Sequence, residues 1–258
     1  MSVAALYDIH GNLPALESVL SEVKGLEVHR IVVGGDLAPG PMPRECLQML
    51  LNLDMPVDFI YGNCDLAMVA IAEAKSDDEV GYWGTTGGGP LPERFRPDFR
   101  WSAQDVAPLV PVIKTWPMTL SLTIDGLGKV LFCHGTPRSE LEIMTRITPA
   151  EKVLPLVEGL AESVIVCGHS HMQYDRMVGN KRVINSGSIG QPYGASGTHW
   201  LLLGPDIQLR RTNYDLESAA ARIHATSYPG AEEFVQNLIN PASEEDMHAV
   251  FTPWEVSG

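Results

Sequence analysis

Five short apolar segments of this chain each end directly in residues that can bind a metal ion. Apolar runs of this length are typical of buried strands, and in layered α/β folds ligands bind at the carboxyl ends of such strands. The segments are residues 3–7 before Asp8 and His10, 31–33 before Asp36, 57–61 before Asn63, 130–133 before His134, and 164–167 before His169 and His171. We therefore expect these seven side chains to meet at one edge of the fold.

The segments between these strands predict a layered α/β fold. Apolar residues after residue 12 recur at the spacing of one helix face, namely Leu13, Leu16, Val19, Leu20 and Val23. A second helix is expected to end near residue 51, so that strands and helices alternate over the first sixty residues. Later, residues 175–184 and residues 199–211 each predict an antiparallel hairpin around a short glycine-containing turn.

We predict one domain over residues 1–228 and a loosely attached, acidic C-terminal extension over residues 229–258. Residues 66–116 interrupt the alternation and are expected to form a cap or insert within the domain, with a helix over 66–74. The aromatic side chains of this insert form either a lid over a bound nucleobase or, as we favour, a packing surface. They are Tyr82, Trp83, Phe95, Phe99 and Trp101.

Two capping signals predict further helix starts. Ser102 and Asp105 have the spacing of a capping box, which predicts a short helix from there to about residue 110. Thr148 is followed by Pro149 and, at the third helical position, by Glu151, which predicts a helix capped by the threonine.

Composition narrows the classes of partner. The 258 residues carry a net charge of −14, which disfavours nucleic acid and anionic membranes. No apolar run approaches the ~18 residues of a membrane span, and no secretory signal is recognisable near Met1. Four cysteines without a C-x-x-C pair are typical of free thiols in a reducing compartment. We expect a soluble, cytoplasmic protein.

The seven strand-end side chains have the chemistry of a metal site. Imidazole nitrogens with carboxylate and amide oxygens suit Mn²⁺, Fe, Zn²⁺ or Ni²⁺, and no thiolate set indicates a structural zinc site. Seven ligands, with one carboxylate shared, are enough for two adjacent ions. Four histidines lie outside these motifs and are expected to be ordinary surface or strand residues: His29, His199, His224 and His248.

The order of these motifs resembles that of the calcineurin-like metallophosphoesterase superfamily, whose marks are D-x-H, G-D, G-N-[HC]-[DE], a lone H, and G-H-x-H. The resemblance covers roughly residues 1–214, and the nearest branch is that of small prokaryotic phosphoesterases with G-N-C-D, here residues 62–65. It implies a four-layer αββα sandwich of two mixed β-sheets. It also implies two divalent metal ions, with Mn²⁺ the first expectation and Fe, Zn²⁺, Ni²⁺ or Mg²⁺ the alternatives.

The resemblance also implies roles for single residues. Asp8, His10 and His171 would hold one ion, Asn63, His134 and His169 the other, and Asp36 would bridge both. Asp36, Asn63 and His134 would take part in catalysis, in which a metal-bridging hydroxide attacks the phosphorus of a small mono- or diester. The substrate would be a nucleotide, a dinucleoside polyphosphate or a phosphoprotein. The alternative is a non-catalytic metal-binding scaffold or interaction subunit with the same fold.

Three departures from the family pattern bear on substrate. Cys64 stands where many members have a histidine thought to assist the leaving group, and we favour a packed thiol over direct chemistry there. The segment after the last ligand pair is Asn-Ser-Gly-Ser, residues 185–188, instead of Asn-Pro-Gly-Ser. Tyr193 stands where relatives often have a basic residue. Arg138 is then the remaining candidate for a phosphate-binding cation, with a solvated loop arginine as the alternative.

Overall fold

Ten strands form two five-stranded sheets in the computed structural model, which describes residues 1–74 and 91–256. The first sheet has the order β10-β9-β1-β2-β3. β1, β2 and β3 are parallel, while β9 runs antiparallel to β1 and to β10. Its strands are β1 (Val3–Leu6), β2 (Arg30–Val33), β3 (Val57–Phe59), β9 (Thr198–Leu203) and β10 (Ile207–Thr212).

The second sheet is also mixed and has the order β4-β5-β6-β8-β7. β5, β6 and β8 are parallel, whereas β4 and β7 pair antiparallel with β5 and β8. Its strands are β4 (Thr119–Ile124), β5 (Gly128–Cys133), β6 (Val164–Cys167), β7 (Tyr174–Val178) and β8 (Lys181–Asn185). The two hairpins predicted from the late part of the sequence are therefore present, one in each sheet.

Nine α-helices lie within the described residues. They are α1 (Leu13–Lys24), α2 (Pro43–Leu51), α3 (Asn63–Glu73), α4 (Arg96–Val106), α5 (Val110–Ile113), α6 (Ala150–Val157), α7 (Leu216–His224), α8 (Ala231–Ile239) and α9 (Glu244–Phe251). Short 3₁₀ turns precede α4, connect α4 to α5 and follow α9. None of the helices in these described residues is both long and apolar enough to cross a bilayer.

Alternation along the strands explains how the layers stack. In β1, Val3 and Ala5 pack between the two sheets, while Ala4 and Leu6 pack against the helices. Because both faces of the strand are buried, its sequence is apolar throughout instead of alternating with polar residues. β6 repeats the pattern in the second sheet, whose outer face is covered by α6. The predicted αββα sandwich is confirmed: helices, sheet, sheet, helix.

Three local predictions were wrong or displaced. Ser102 lies inside α4, because Pro97 starts that helix a turn and a half earlier, and its hydroxyl bonds the backbone of Gly40 instead of capping. The helix expected from residue 66 begins at Asn63. Thr148 does not cap α6, since its hydroxyl accepts the backbone N–H of Thr145 at 2.8 Å.

The C-terminal segment is firmly attached, contrary to expectation. Phe234, Val235 and Leu238 of α8 are buried in the main core, in contact with the helices of the first sheet. Farther along, the backbone N–H of Val256 bonds the carbonyl of Ile143 at 3.1 Å. The acidic composition of the segment did not indicate that α8 has one apolar face. That face packs on the main core and attaches the segment to it. The domain boundary at residue 228 stays a prediction.

Candidate metal centre

The ligand loops turn sharply as soon as their strands end. Five non-glycine residues among those described have positive φ angles, and all five are predicted ligands: Asp8 (53°), His10 (46°), Asp36 (51°), His169 (65°) and His171 (56°). Side chains other than glycine rarely adopt this conformation, and it concentrates at functional sites. In the pairs spaced i, i+2, positive φ at both members supplies the turning backbone that places both side chains on one side.

The turned loops bring the side chains together in two groups. In one group, the ligand atoms of Asp8, His10 and His171 lie within 4.8 Å of one another, and those of Asp36, His134 and His169 do so in the other. All six residues are largely or fully buried. Six of the seven strand-end residues therefore lie in two groups at one edge, and the ligand assignment implied by the family resemblance stays a prediction.

Asn63 and Asp36 lie where the second group needs them. The side-chain oxygen of Asn63 is 3.2 Å from Nε2 of His134. Asp36 Oδ2 is 3.4 Å from the same nitrogen, while its Oδ1 accepts the backbone N–H of Cys64 at 2.8 Å. The Asp36 carboxylate also acts electrostatically on His10 of the first group. That position suits the bridging role, which stays a prediction.

Backbone carbonyls fix the orientation of the four imidazoles. Nδ1 of His10, His134 and His171 lies 2.8–3.2 Å from the carbonyls of Pro39, Gly34 and Gln191, and Nε2 of His169 lies 3.2 Å from that of Leu141. A carbonyl only accepts, so each of these nitrogens carries a proton, and it is the only ring proton when the imidazole is neutral. The other nitrogen of each ring then directs a lone pair into the site, as metal-binding histidines do.

The inward atoms fit cations and do not satisfy one another. His10 Nε2 and His171 Nε2 are 3.2 Å apart, and when both rings are neutral with protonated outer nitrogens, neither can donate a hydrogen bond to the other. Oδ1 of Asp8 is buried without a hydrogen-bond partner and lies 3.4 Å from His171 Nε2. Burying such acceptors is unfavourable unless a positive charge lies among them. The donor set suits divalent transition metals.

Protonation equilibria respond to the same concentration of charge. Burial and then the neighbouring histidines lower the pKa values of His10 and His169 to about 4. Burial also opposes the charged form of His134, but the carboxylates of Asp36 and Asp8 outweigh it and raise its pKa to about 10. The pKa of Asp36 falls below its usual range despite burial, because His134 and other histidines surround it. The shifts of His134 and Asp36 show that the carboxylates attract positive charge, whereas the lowered pKa values keep the His10 and His169 rings neutral.

Asp65 was named only as the last letter of the G-N-C-D motif, and its structural role was missed. Its buried carboxylate accepts the backbone N–H groups of Asp36 (2.8 Å), Leu37 (3.0 Å) and Gly62 (2.9 Å). It therefore ties the loop after β2 to the start of α3, which carry Asp36 and Asn63. The signal was available: Asp65 is the third residue of α3 and forms the carboxylate half of a capping box with Gly62.

Residues 185–188, where the sequence differs from the family pattern, stabilise two ligand loops. Asn185 donates from its side-chain amide to Ser170 Oγ at 3.0 Å, between the two histidines of the G-H-x-H motif. Ser188 donates from its hydroxyl to the carbonyl of Asp8 at 2.8 Å. The serine that replaces the family's proline at position 186 donates to the carbonyl of Ala5 at 3.2 Å, so it supports β1.

Of two residues expected to bear on substrate, Arg138 and Cys64, only Cys64 lines the cavity beside the ligand groups. Arg138 is paired with Glu142, to which its guanidinium donates at 2.6–3.0 Å, and it does not line the cavity beside the ligands. Its phosphate-binding role stays a prediction. Cys64 does line the cavity; its buried Sγ accepts a hydrogen bond from the Asn63 amide at 3.3 Å.

The cavity beside the two groups measures about 330 Å³ and is walled by both the insert and the C-terminal segment. Phe95 and Phe99 of the insert line it, although Phe99 is mostly buried in the core. Trp101 packs edge-on against Tyr228, with ring centroids 5.4 Å apart. Tyr82 and Trp83 lie outside the described residues.

Comparison with known proteins identifies the family. The model of the calcineurin-like phosphoesterase superfamily domain matches residues 1–205. This chain belongs to that superfamily. An uncharacterised protein of Methanocaldococcus jannaschii is 24% identical to this member over 248 residues, which cover 88% of this chain and 93% of the relative.

Solved structures show the same fold. A hypothetical protein of Pyrococcus horikoshii OT3 matches with a TM-score of 0.77 at 20% identity, over 92% of this chain and 97% of its own. A metallophosphoesterase from Sphaerobacter thermophilus matches with a TM-score of 0.67 at 24% identity, over 93% and 98%. The calcineurin-like fold therefore extends over more than nine-tenths of this superfamily member.

Metal stoichiometry tests the two groups separately. We expect the chelator-treated protein to bind two Mn²⁺ ions per chain in isothermal titration, because each group supplies its own inward lone pairs. His171→Ala is expected to bind one, since it removes a ligand from the first group alone. His224→Ala, which removes a surface histidine paired with Glu232, is the matched control and should still bind two. Two tight sites in His171→Ala would contradict the assignment.

Replacing Asp65 tests its bracing role. Asp65→Asn keeps the shape but turns an amide donor toward backbone donors, so at least one buried N–H loses its acceptor. We expect unfolding in urea to show a loss of about 1–3 kcal/mol, together with weaker binding at the second group. The control is Asp58→Asn, a half-buried carboxylate of β3 that pairs with Arg30. Wild-type stability and metal affinity in Asp65→Asn would remove this role.

Proposed function

We propose that this protein is a metal-dependent phosphoesterase that hydrolyses a small phosphate mono- or diester. The observation that carries the proposal is the juxtaposition of two complete ligand groups, whose carboxylates both approach His134, at 3.4 Å for Asp36 and 3.9 Å for Asp8. Two divalent cations bound there would supply Lewis acidity for activating water as the nucleophile and for neutralising phosphoryl charge. Mn²⁺ is our first expectation.

The chain's own groups would position the substrate. His10, His171 and Asn63 line the cavity as well as belonging to the ligand groups, so a phosphate in the cavity meets them directly. The Asn63 amide points its nitrogen toward Cys64 and can instead donate to a phosphoryl oxygen. The carbonyls behind the imidazoles hold these rings in place, which preorganises the site for charge that develops at phosphorus.

A non-catalytic scaffold with the same fold is the alternative. Both ligand groups are complete here, which favours catalysis over a role in assembly alone. A panel of p-nitrophenyl phosphate, bis-p-nitrophenyl phosphate, a dinucleoside polyphosphate and a phosphopeptide, each with Mn²⁺, separates the two. Binding of two ions without turnover of any ester would support the scaffold.

We also infer a cytoplasmic protein that acts on a small molecule. All four cysteines are free and buried, which is consistent with a reducing compartment. The net charge of −14 disfavours a nucleic-acid substrate. The cavity volume of about 330 Å³ lies at the small end of the range of ligand pockets.

Asp36→Asn tests the bridging carboxylate. The amide keeps the shape of the side chain but lacks the negative charge that would hold two cations close together. We therefore expect kcat/KM on bis-p-nitrophenyl phosphate to fall about 10²-fold or more. Circular dichroism should stay unchanged, since a strand-end side chain contributes little to the core. The measurement requires saturating Mn²⁺ and elemental analysis of the same samples. Wild-type turnover at matched metal occupancy would rule out the role.

Cys64→Ala tests the packed-thiol interpretation. A thiol is a poor proton donor to a departing alkoxide, so this enzyme should favour esters whose leaving group departs readily. We expect Cys64→Ala to keep kcat/KM on p-nitrophenyl esters within about tenfold of wild type. Cys46→Ala, a buried thiol of α2 away from the cavity, is the control for packing loss. A fall of several orders of magnitude with both ions bound would place the thiol in the mechanism.

A further inference from the structure

Away from the ligand groups, the wall of the cavity consists of side chains of a different chemical type. That wall is built by α4 of the insert, by α8 and α9 of the C-terminal segment, and by the loops that carry Tyr193 and Tyr228. None of these elements supplies a predicted metal ligand. The family motifs therefore do not specify the chemistry of this part of the cavity, which depends on its own side chains.

Aromatic rings line this wall and continue up to the first ligand group. Tyr193 stacks on the His171 imidazole, with ring centroids 5.3 Å apart and an angle of 19° between the planes. Phe251 of α9 lies against Tyr193 at 6.2 Å. Both rings are only partly buried and line the cavity. A group bound beside the phosphate would thus meet aromatic faces, which attract apolar groups and cations.

Two carboxylates line the same cavity. The carboxylate of Asp98 in α4 lies beside Gly230, where an added Cβ would be 2.5 Å from its Oδ2, and burial together with its charge raises the pKa of Tyr228. Glu233 of α8 is exposed, lines the same cavity and is close enough to disfavour the charged form of Asp98. Among the described residues that line the cavity, none is a lysine or an arginine.

The cavity is therefore polarised. At the ligand groups, two divalent cations would outweigh the two carboxylates, so that end would attract a phosphate. The aromatic and acidic wall repels further phosphates and attracts a positive charge. A polyphosphate or a multiply phosphorylated peptide would place anions against Asp98 and Glu233 and is disfavoured.

We propose that the substrate is a zwitterionic phosphate ester, with an ammonium group bound against Tyr193, Phe251, Asp98 and Glu233. This proposal rests on the proposed function, because the ester is the one hydrolysed at the ligand groups. It specifies the organic part of the substrate: a compact quaternary or protonated amine joined to the phosphate by a short linker.

A pair of substrates that differ only in charge tests the proposal. p-Nitrophenyl phosphorylcholine carries a quaternary ammonium, and p-nitrophenyl 3,3-dimethylbutyl phosphate replaces its nitrogen by carbon. In both, one water adds to phosphorus, the bond to p-nitrophenolate breaks, and the proton goes to solvent. With the full-length Mn²⁺-loaded protein, we expect kcat/KM to be at least about tenfold higher for the choline ester, as for one desolvated cation–π contact. Equal rates, or a preference for the neutral ester, would overturn the proposal.

Variants identify the residues responsible. Glu233→Gln should lower the ratio of the two kcat/KM values about threefold or more, and the double variant with Asp98→Asn should lower it further, toward the value that the aromatic rings alone supply. Glu232→Gln is the matched control, because the carboxylate of Glu232, next to Glu233 in α8, pairs with His224 and does not line the cavity. A ratio that Glu233→Gln and the double variant leave unchanged would reject these acids as the determinant. Glu233 is exposed, so its replacement does not endanger folding.

A binding measurement separates this inference from the proposed function. Phosphocholine and 3,3-dimethylbutyl phosphate are titrated calorimetrically into the Mn²⁺-loaded protein, which requires no turnover. If no ester is hydrolysed, the proposed function fails, and the ratio of the two dissociation constants still decides the inference. At least about tenfold tighter binding of phosphocholine supports it. Equal affinities reject it, even if both esters are hydrolysed.

Discussion

The structure depends on burying two carboxylates and four imidazoles whose inward nitrogens cannot hydrogen-bond one another. In the metal-free protein a proton on His134 partly compensates, because Asp36 and Asp8 outweigh burial and raise the pKa of that ring, while His10 and His169, with lowered pKa values, stay neutral. A metal cation relieves the repulsion among the buried carboxylates and imidazole lone pairs more fully, because it can bind several of these atoms at once. Metal binding is therefore coupled to the stability of the strand ends, and it displaces protons as it occurs.

Backbone groups hold this arrangement more than side-chain packing does. The outer nitrogens of the imidazoles bond carbonyls, and Asp65 collects three N–H groups from two loops. Close approach adds a further constraint: a Cβ at Gly62 would lie 2.1 Å from Oδ1 of Asp36 and 2.8 Å from the His134 ring. Left-handed backbone at the ligands is unfavourable by about 1–3 kcal/mol each, and this surrounding network over-determines it.

The sequence predicted the fold class and the meeting of seven ligand residues, because both follow from strand-end geometry that local patterns record. It did not predict the start of α4, where Pro97 prevailed over the capping signal at Ser102. The wall of the cavity was also missed. Asp98 and Glu233 lie far apart in sequence and meet through packing of α8 on the core, which no local spacing reveals. Asp65 was recoverable, since its capping box is a local pattern.

This difference in predictability reflects a division of labour within the chain. The ligand loops follow parallel strands whose register is set by two buried sheets, so a shift of that register would displace the ligand side chains. The wall carboxylates Asp98 and Glu233 belong to α4 and α8, which are anchored in the core by other side chains, such as Ala103 and Leu238. Glu233 can therefore change without altering either ligand group. Under the proposed function, the ligand groups would supply the reaction centre, and the cavity wall would determine which organic group lies beside the phosphate.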